Sequence, residues 1–275
     1  MTILFYKLFL GFIVGSLIGL FSYITHLLTK SGMIAIVFVA TIVCGFGSWF
    51  TWGLLILFFC SSGCIHLAKK RINMTNLDTV AEKGHTRDAL QVLANSLPAI
   101  ISLVLFYYTK NQLFLIGYAS GIAGATADTW SSEIGILSKS APRSIISFKP
   151  IQPGLSGGVS LLGTIASSLG SLLISVVFWL LYRPDDFSTF PQIFILIVPF
   201  ICGIFNSLVD SLLGATLQAK YRCSICGQLT ENKQHHFHTT QQIGGLSWLT
   251  NDWVNFFSGC LTVLFSWIIL FYAQQ

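Results

Sequence analysis

Long apolar runs alternate with short polar intervals along the chain, falling near 4–28, 33–48, 49–67, 90–109, 112–132, 157–182, 190–216 and 252–273. Each approaches the ~20 residues a helix needs to cross a hydrocarbon layer. The pattern predicts an all-α, polytopic transmembrane helical bundle of about eight spans. The stretch 33–67 is too long for one helix and barely long enough for two. Trp49 and Trp52 favour a tight interfacial turn there, whereas a single tilted helix would leave seven spans. No cleavable leader is expected, because the first run is too long for one and no small-residue cleavage site follows it.

The most informative polar interruption is at 117–164. Gly117, Gly121 and Gly124 are followed by Asp128, Thr129, Ser131, Ser132 and Glu133; a loop with Lys139, Arg143 and Lys149 then leads to Pro153-Gly154-Leu155-Ser156-Gly157-Gly158. Close helix packing alone would account for the glycines. It does not account for the acids, since a carboxylate in hydrocarbon costs roughly 2.5–3.5 kcal/mol even on a lenient scale. Asp128 and Glu133 are about 140° apart around a helix, so they share a face only if the helix ends or bends near Thr129. The Gly-rich turn is expected to open the sixth span and to offer backbone N–H groups and a positive dipole end to phosphate, although it lacks the G-x-x-x-x-G-K-[ST] pattern of a P-loop.

Other polar residues fall at span ends. Lys83, Arg87, Gln91 and Asn95 stand where the fourth span enters the membrane, either as a solvated basic loop or as a phosphate clamp. Asn206 and Asp210 are four residues apart near the end of the seventh span, as are Asn251 and Asn255 at the start of the eighth. Asn251 or Asp252 would also serve as a helix N-cap. Asp128, Glu133, Asp210 and Asp252 nevertheless reach the same side of the membrane from three helices. Such a group describes a site for a hard cation.

Composition sharpens this reading. With 53% hydrophobic and 9% charged residues and a mean hydropathy of +0.74, residues 1–275 form one integral membrane domain; soluble domains carry about 25% charged residues. The cations gather after the third, fifth and seventh spans, leaving only Lys7, Lys30, Lys110 and Arg183 elsewhere. Those loops are therefore cytoplasmic, in a prokaryotic inner membrane, with the site on that face. The expected partners are the bilayer and an anionic substrate. Nucleic acid is not expected, because no basic surface interleaved with aromatics is present. Oligomeric state is not legible. The cytoplasmic loop over 219–250 holds Cys223-x-x-Cys226 with His235, His236 and His238 nearby. Two thiolates and two imidazoles, taken as those of His236 and His238, would make a structural Zn²⁺ knuckle.

The segments GATADTWSSEIG, GLSGGVSLLGT, DSLLGATLQ and NDWVN together resemble the domain-of-unknown-function ninety-two family of membrane proteins over residues 80–258. That family includes phytyl-phosphate kinases and an animal transmembrane protein of unassigned activity. The resemblance implies transfer of a γ-phosphoryl group from CTP to an isoprenyl monophosphate. It maps the family's acidic motif to Asp128 and Glu133, its Gly-rich motif to Gly154, Ser156, Gly157 and Gly158, and its later motifs to Asp210, Asn251, Asp252 and Asn255. Where a His-Cys pair is expected after Cys226, this chain has His235-His236-Phe237-His238. Asp128, with Asp210 or Asp252, would hold Mg²⁺ against the nucleotide, Lys149, Arg87 and Lys83 would neutralise phosphates, and the prenyl tail would lie between spans. Alternatives are another CTP-dependent prenol kinase, a lipid cytidylyltransferase, or an ion-coupled transporter.

Overall fold

The computed structural model describes residues 2–71, 86–182 and 190–275. The helices are α1 (Thr2–Ile24), α2 (Lys30–Phe46), α3 (Trp49–Arg71), α4 (Ala89–Thr109), α5 (Gln112–Gly135), α6 (Leu161–Leu181), α7 (Gln192–Thr216) and α8 (Asn251–Ala273). Of these, α1, α3, α4, α6, α7 and α8 are long and apolar enough to cross a membrane, while α2 is a shorter apolar helix. The stretch 33–67 is broken into two helices: Gly47 ends α2, and Thr51 Oγ1 accepts the Ser48 N–H at 2.9 Å where α3 begins.

Packing follows the small residues. Gly11, Gly15 and Gly19 form one buried stripe on α1, where a Cβ would meet Cys44 Cβ at 2.6 Å, Ala40 Cβ at 2.8 Å and Ile36 Cγ2 at 3.1 Å respectively. In lipid, such close backbone approach supplies contacts that hydrophobicity cannot. Gly15→Val is therefore expected to force α1 away from α2 and to destabilise the protein by about 1–3 kcal/mol. A thermal unfolding scan in detergent checks this; an unchanged midpoint would show that the contact is dispensable.

Helix α5 lies at the centre and packs against α3, α4, α6, α7 and α8. Its glycines, alanines and serines leave little side chain between it and its neighbours, and residues 115–127 are buried throughout. A Cβ on Gly121 would lie 2.9 Å from Ala99 of α4, and one on Gly124 would lie 2.9 Å from Asn206 of α7. Three buried polar side chains tie helices together: Tyr118 donates to Thr51 O at 2.7 Å, Asn206 donates to Gly124 O at 3.2 Å, and Thr262 of α8 donates to Asn206 Oδ1 at 2.9 Å. Such bonds fix which faces meet.

The extramembrane segments carry short strands. β1 (Arg143–Ser144) pairs antiparallel with β2 (Gly158–Val159), closing the loop before α6. After α7, β3 (Lys220–Arg222) lies between β4 (Leu229–Thr230) and β7 (Gln241–Gly244), and β5 (Gln234–His235) pairs with β6 (His238–Thr239).

Candidate active site

Helices α3, α5 and α7 end, and α4, α6 and α8 begin, at the same end of the bundle. There they enclose a cavity of about 300 Å³ lined by Asp128, Ser132 and Glu133 of α5, Asp210 and Ser211 of α7, and Asn251 and Asp252 of α8. Its other walls include Lys69, Arg87, Gln91, Glu231 and the turn Pro153–Gly158. Asp128 and Asp210 are near enough for their charges to interact. Ser258 donates to Asp210 Oδ2 at 3.2 Å. Three carboxylates facing one polar space form an oxygen-rich set suited to a hard divalent cation.

The beginnings of α4, α6 and α8 also bring three positive dipole ends to this region. Asp88 and Gln91 cap α4 reciprocally, at 3.0 and 3.1 Å, and Ser160 Oγ accepts the Gly163 N–H at 3.1 Å on α6. At α8 the cap position is Thr250, and no side-chain cap hydrogen bond is made there among the described residues. Asn251 and Asp252 thus belong to the first turn rather than the cap, which places their side chains on the cavity wall.

The Gly-rich turn is built against α7. Gly154 and Gly157 take φ of 84° and 88°, the left-handed region open mainly to glycine. A Cβ on Gly157 would stand 2.6 Å from Ala215 Cα, and one on Gly214 would stand 3.0 Å from Ser156 Cβ. Gly214 and Ala215 are therefore the seat on which the turn rests. Glu231, buried just beyond β4, accepts the Ser156 N–H at 2.8 Å and a Gln218 Nε2 hydrogen at 2.8 Å. The turn does not open α6 directly: β2 and the Ser160 cap intervene, and the Ser156 N–H is already bonded to Glu231.

The cations on the wall are Lys69 and Arg87. Lys69 Nζ lies 2.8 Å from Glu133 Oε2, and His66 Nδ1 lies 3.7 Å from Glu133 Oε1. Glu133 is consequently a partner of two basic side chains rather than a carboxylate free to join the other three. α5 continues unbroken past Thr129 to Gly135, which keeps Glu133 turned away from Asp128. Lys69→Met is expected to destabilise the fold by leaving Glu133 partly uncompensated and to weaken binding of an anionic ligand. Adding Glu133→Gln should restore stability without restoring that affinity. Recovery of both in the double variant would show that Lys69 acts on Glu133 alone.

A family model described as Integral membrane protein DUF92 matches residues 13–263. The chain belongs to this integral membrane protein family. Membership thus covers nearly the whole chain, beyond the motif-bearing stretch. The chain is similar to Protein PGR of Arabidopsis thaliana, 32% identical over 279 residues that cover 94% of each chain. It is also 40% identical over 134 residues to an uncharacterized membrane protein of Methanocaldococcus jannaschii, covering 49% of this chain and 52% of that one. No solved structure matches it.

Within this family member, the residues singled out from sequence separate into groups. Arg87, Gln91, Asp128, Glu133, Gly154, Ser156, Gly157, Gly158, Asp210, Asn251 and Asp252 all line the cavity. Asn95, Asn206 and Asn255 instead line, with Asp128, an adjoining crevice of about 10 Å³, room for about one water. Asn206 is committed at both ends of its amide to helix ties, so its role is in packing. Lys149 is exposed on the β1 side of the loop and is not part of the cavity wall. Lys83 lies outside the described residues. Lys69 and Glu231 were missed. Lys69 reads in sequence as a topology cation, and Glu231 sits in a polar loop with no local pattern to mark it.

In the loop after α7, ligand atoms of Cys223, Cys226 and His235 lie within 4.8 Å of one another. The Cys226 N–H and then His235 draw the Cys223 thiol down to about 6. His235 therefore takes the place expected of His236, whose exposed ring instead sits 4.2 Å from that of His235.

Proposed function

We propose that this protein is a membrane-embedded CTP-dependent kinase converting an isoprenyl, phytyl-type monophosphate to the diphosphate. The observation that carries the reading is the convergence of Asp128, Asp210 and Asp252 with Lys69, Arg87 and three helix beginnings in one cavity. Phosphoryl transfer asks mainly for positioning and charge stabilisation. An oxygen of the acceptor phosphate attacks the γ-phosphorus of CTP, the bond to the β-phosphate oxygen breaks, and CDP leaves. The acceptor is already ionised, so no strong general base is required. Asp128, Asp210 and Asp252 would hold Mg²⁺, which would neutralise charge on the nucleotide phosphates. Lys69 and Arg87 supply fixed positive charge beside them. The cavity is at the small end of ligand pockets, fitting phosphates while the apolar tail stays on the bilayer side.

The same end of the bundle carries the cation-rich loops, so the reading places the site, and with it the nucleotide, on the cytoplasmic side. Eight spans follow if α2 and α5 cross with the other six helices. A site made from helix ends favours phosphotransfer over ion-coupled transport, which uses sites near the bilayer midplane.

The test is a turnover assay of the purified, detergent-solubilised protein with phytyl or geranylgeranyl monophosphate, Mg²⁺ and each nucleotide triphosphate, with prenols and lipid phosphates as further acceptors. Mg²⁺-dependent diphosphate formation with CTP is expected. Product from a free prenol, or a CDP-linked lipid, would move the assignment to a prenol kinase or a cytidylyltransferase. No product from any acceptor, in folded protein, would overturn the kinase reading.

A further inference from the structure

Residues 223–228 connect β3 and β4. The Ile225 N–H approaches Cys223 Sγ at 3.4 Å, the Gly227 N–H bonds Cys223 O at 3.0 Å, and Gly227 takes φ of 72°. The turn thus holds both sulfurs and a ring nitrogen of His235 within 4.8 Å of one another. Cys226 Sγ is 3.6 Å from His235 Nδ1. His235 arrives on a hairpin whose two-residue turn, His236-Phe237, has φ of 54° and 63° without a glycine. Positive φ at two ordinary residues costs free energy, and Phe237 at the tip is fully exposed. Burial of the tip therefore does not hold this hairpin; a ligand shared by its base and the Cys turn would. The register pairs His235 with His238, and directly opposed residues on one face have Cβ atoms about 5 Å apart.

We propose that Cys223, Cys226 and His235, with His238 completing the tetrahedron, hold one structural Zn²⁺, and that this zinc fixes Glu231 against the Gly-rich turn. Two soft thiolates and imidazole nitrogens match zinc rather than the oxygen-seeking magnesium proposed for the cavity. The mechanical link is short. The Cys turn sets the β3–β4 hairpin, Glu231 follows β4 directly, and its carboxylate accepts the Ser156 N–H and binds Gln218. Zinc in the loop thus orders the floor of the cavity without entering it. The significance of that ordering for phosphate binding rests on the proposed function, whereas the zinc site itself does not.

The experiment uses the full chain in detergent. Zinc per chain is measured after purification without chelator, and Co²⁺ exchange is followed by its thiolate charge-transfer absorption. Hydrogen–deuterium exchange over 153–158 is compared with and without metal. One zinc per chain, loss of it in Cys223→Ser and in His235→Ala, and a cobalt–thiolate band are expected. Zinc removal should speed exchange at Ser156 by roughly tenfold or more, as a hydrogen bond to a charged acceptor is released. Glu231→Gln should give that faster exchange while keeping its zinc. Substoichiometric zinc in the wild-type protein after zinc-replete growth, or a Cys223–Cys226 disulfide, would overturn the site. Bound zinc whose removal leaves exchange over 153–158 unchanged would overturn the link to Glu231. These readouts hold whether or not turnover is found, so failure of the kinase reading is distinguishable.

Discussion

Asp128→Asn is expected to lower Mg²⁺-dependent turnover by about 10²–10³-fold, the scale of removing one preorganised charge-stabilising group, while the bundle stays folded. Asn matches Asp in shape, and residue 128 sits where α5 leaves the fully buried core and meets the cavity. What changes is charge: an amide oxygen is a much weaker ligand for a hard cation than a carboxylate. A second observable separates this role from a structural one. Two carboxylates that line one cavity repel each other when both are ionised and no cation lies between them, so the variant should unfold at the same temperature as wild type or higher in metal-free buffer. Wild type should gain stability as Mg²⁺ is added, because a ligand of the native state shifts the unfolding equilibrium, and the variant should gain less. Full turnover in Asp128→Asn, or equal Mg²⁺ stabilisation of both proteins, would remove Asp128 from the cation site.

The parts of this arrangement that were legible in sequence are those set by lipid. An apolar run has to become a helix, because no other backbone satisfies its own polar groups in hydrocarbon, and the expected runs match the helices to within a few residues at most ends. The acids were conspicuous for the same reason, since a carboxylate has few inexpensive positions in a span. What was not legible depends on the extramembrane fold. Ser156 and Glu231 are 75 residues apart, and no periodicity connects a glycine turn to an acid in a distant loop. The choice among His235, His236 and His238 turns on where the hairpin bends, and a shift of one residue exchanges the faces of a strand. With the bend at His236-Phe237, His235 faces Cys226. Lys149 illustrates the converse: adjacent in sequence to the Gly-rich turn, it is carried outward by the tight loop in which the Ser144 N–H bonds Lys149 O at 2.9 Å.

Gly157→Ala is expected to cost about 10²-fold in turnover with a much smaller effect on global unfolding. The φ of 88° alone disfavours any L-residue, by roughly 1–2 kcal/mol. The added methyl would also stand 2.5 Å from Ala215 Cβ, 2.6 Å from Ala215 Cα and 2.8 Å from Ala215 N. Two of these are helix backbone atoms and the third is a methyl carbon fixed to that backbone, so none can rotate aside and the clash is relieved by lifting the turn off α7. That movement separates the Ser156 N–H from Glu231 and displaces one wall of the cavity, and misplacement of about 1 Å is enough for a hundredfold loss. The bundle is untouched, because the contact lies at its end. Neighbouring glycines supply graded controls. A Cβ on Gly214 would meet Ser156 Cβ at 3.0 Å and Gly157 N at 3.2 Å, so Gly214→Ala presses on the same contact more gently. Gly158 has no positive φ, and its nearest prospective neighbours are Ile151 Cδ1 at 3.1 Å, Leu155 O at 3.2 Å and Pro142 Cβ at 3.3 Å. The order of damage in turnover should therefore be Gly157→Ala, then Gly214→Ala, then Gly158→Ala. If all three behave alike, the turn is not seated on α7 as a rigid wall, and its contribution to the cavity would have to come from backbone polarity rather than position.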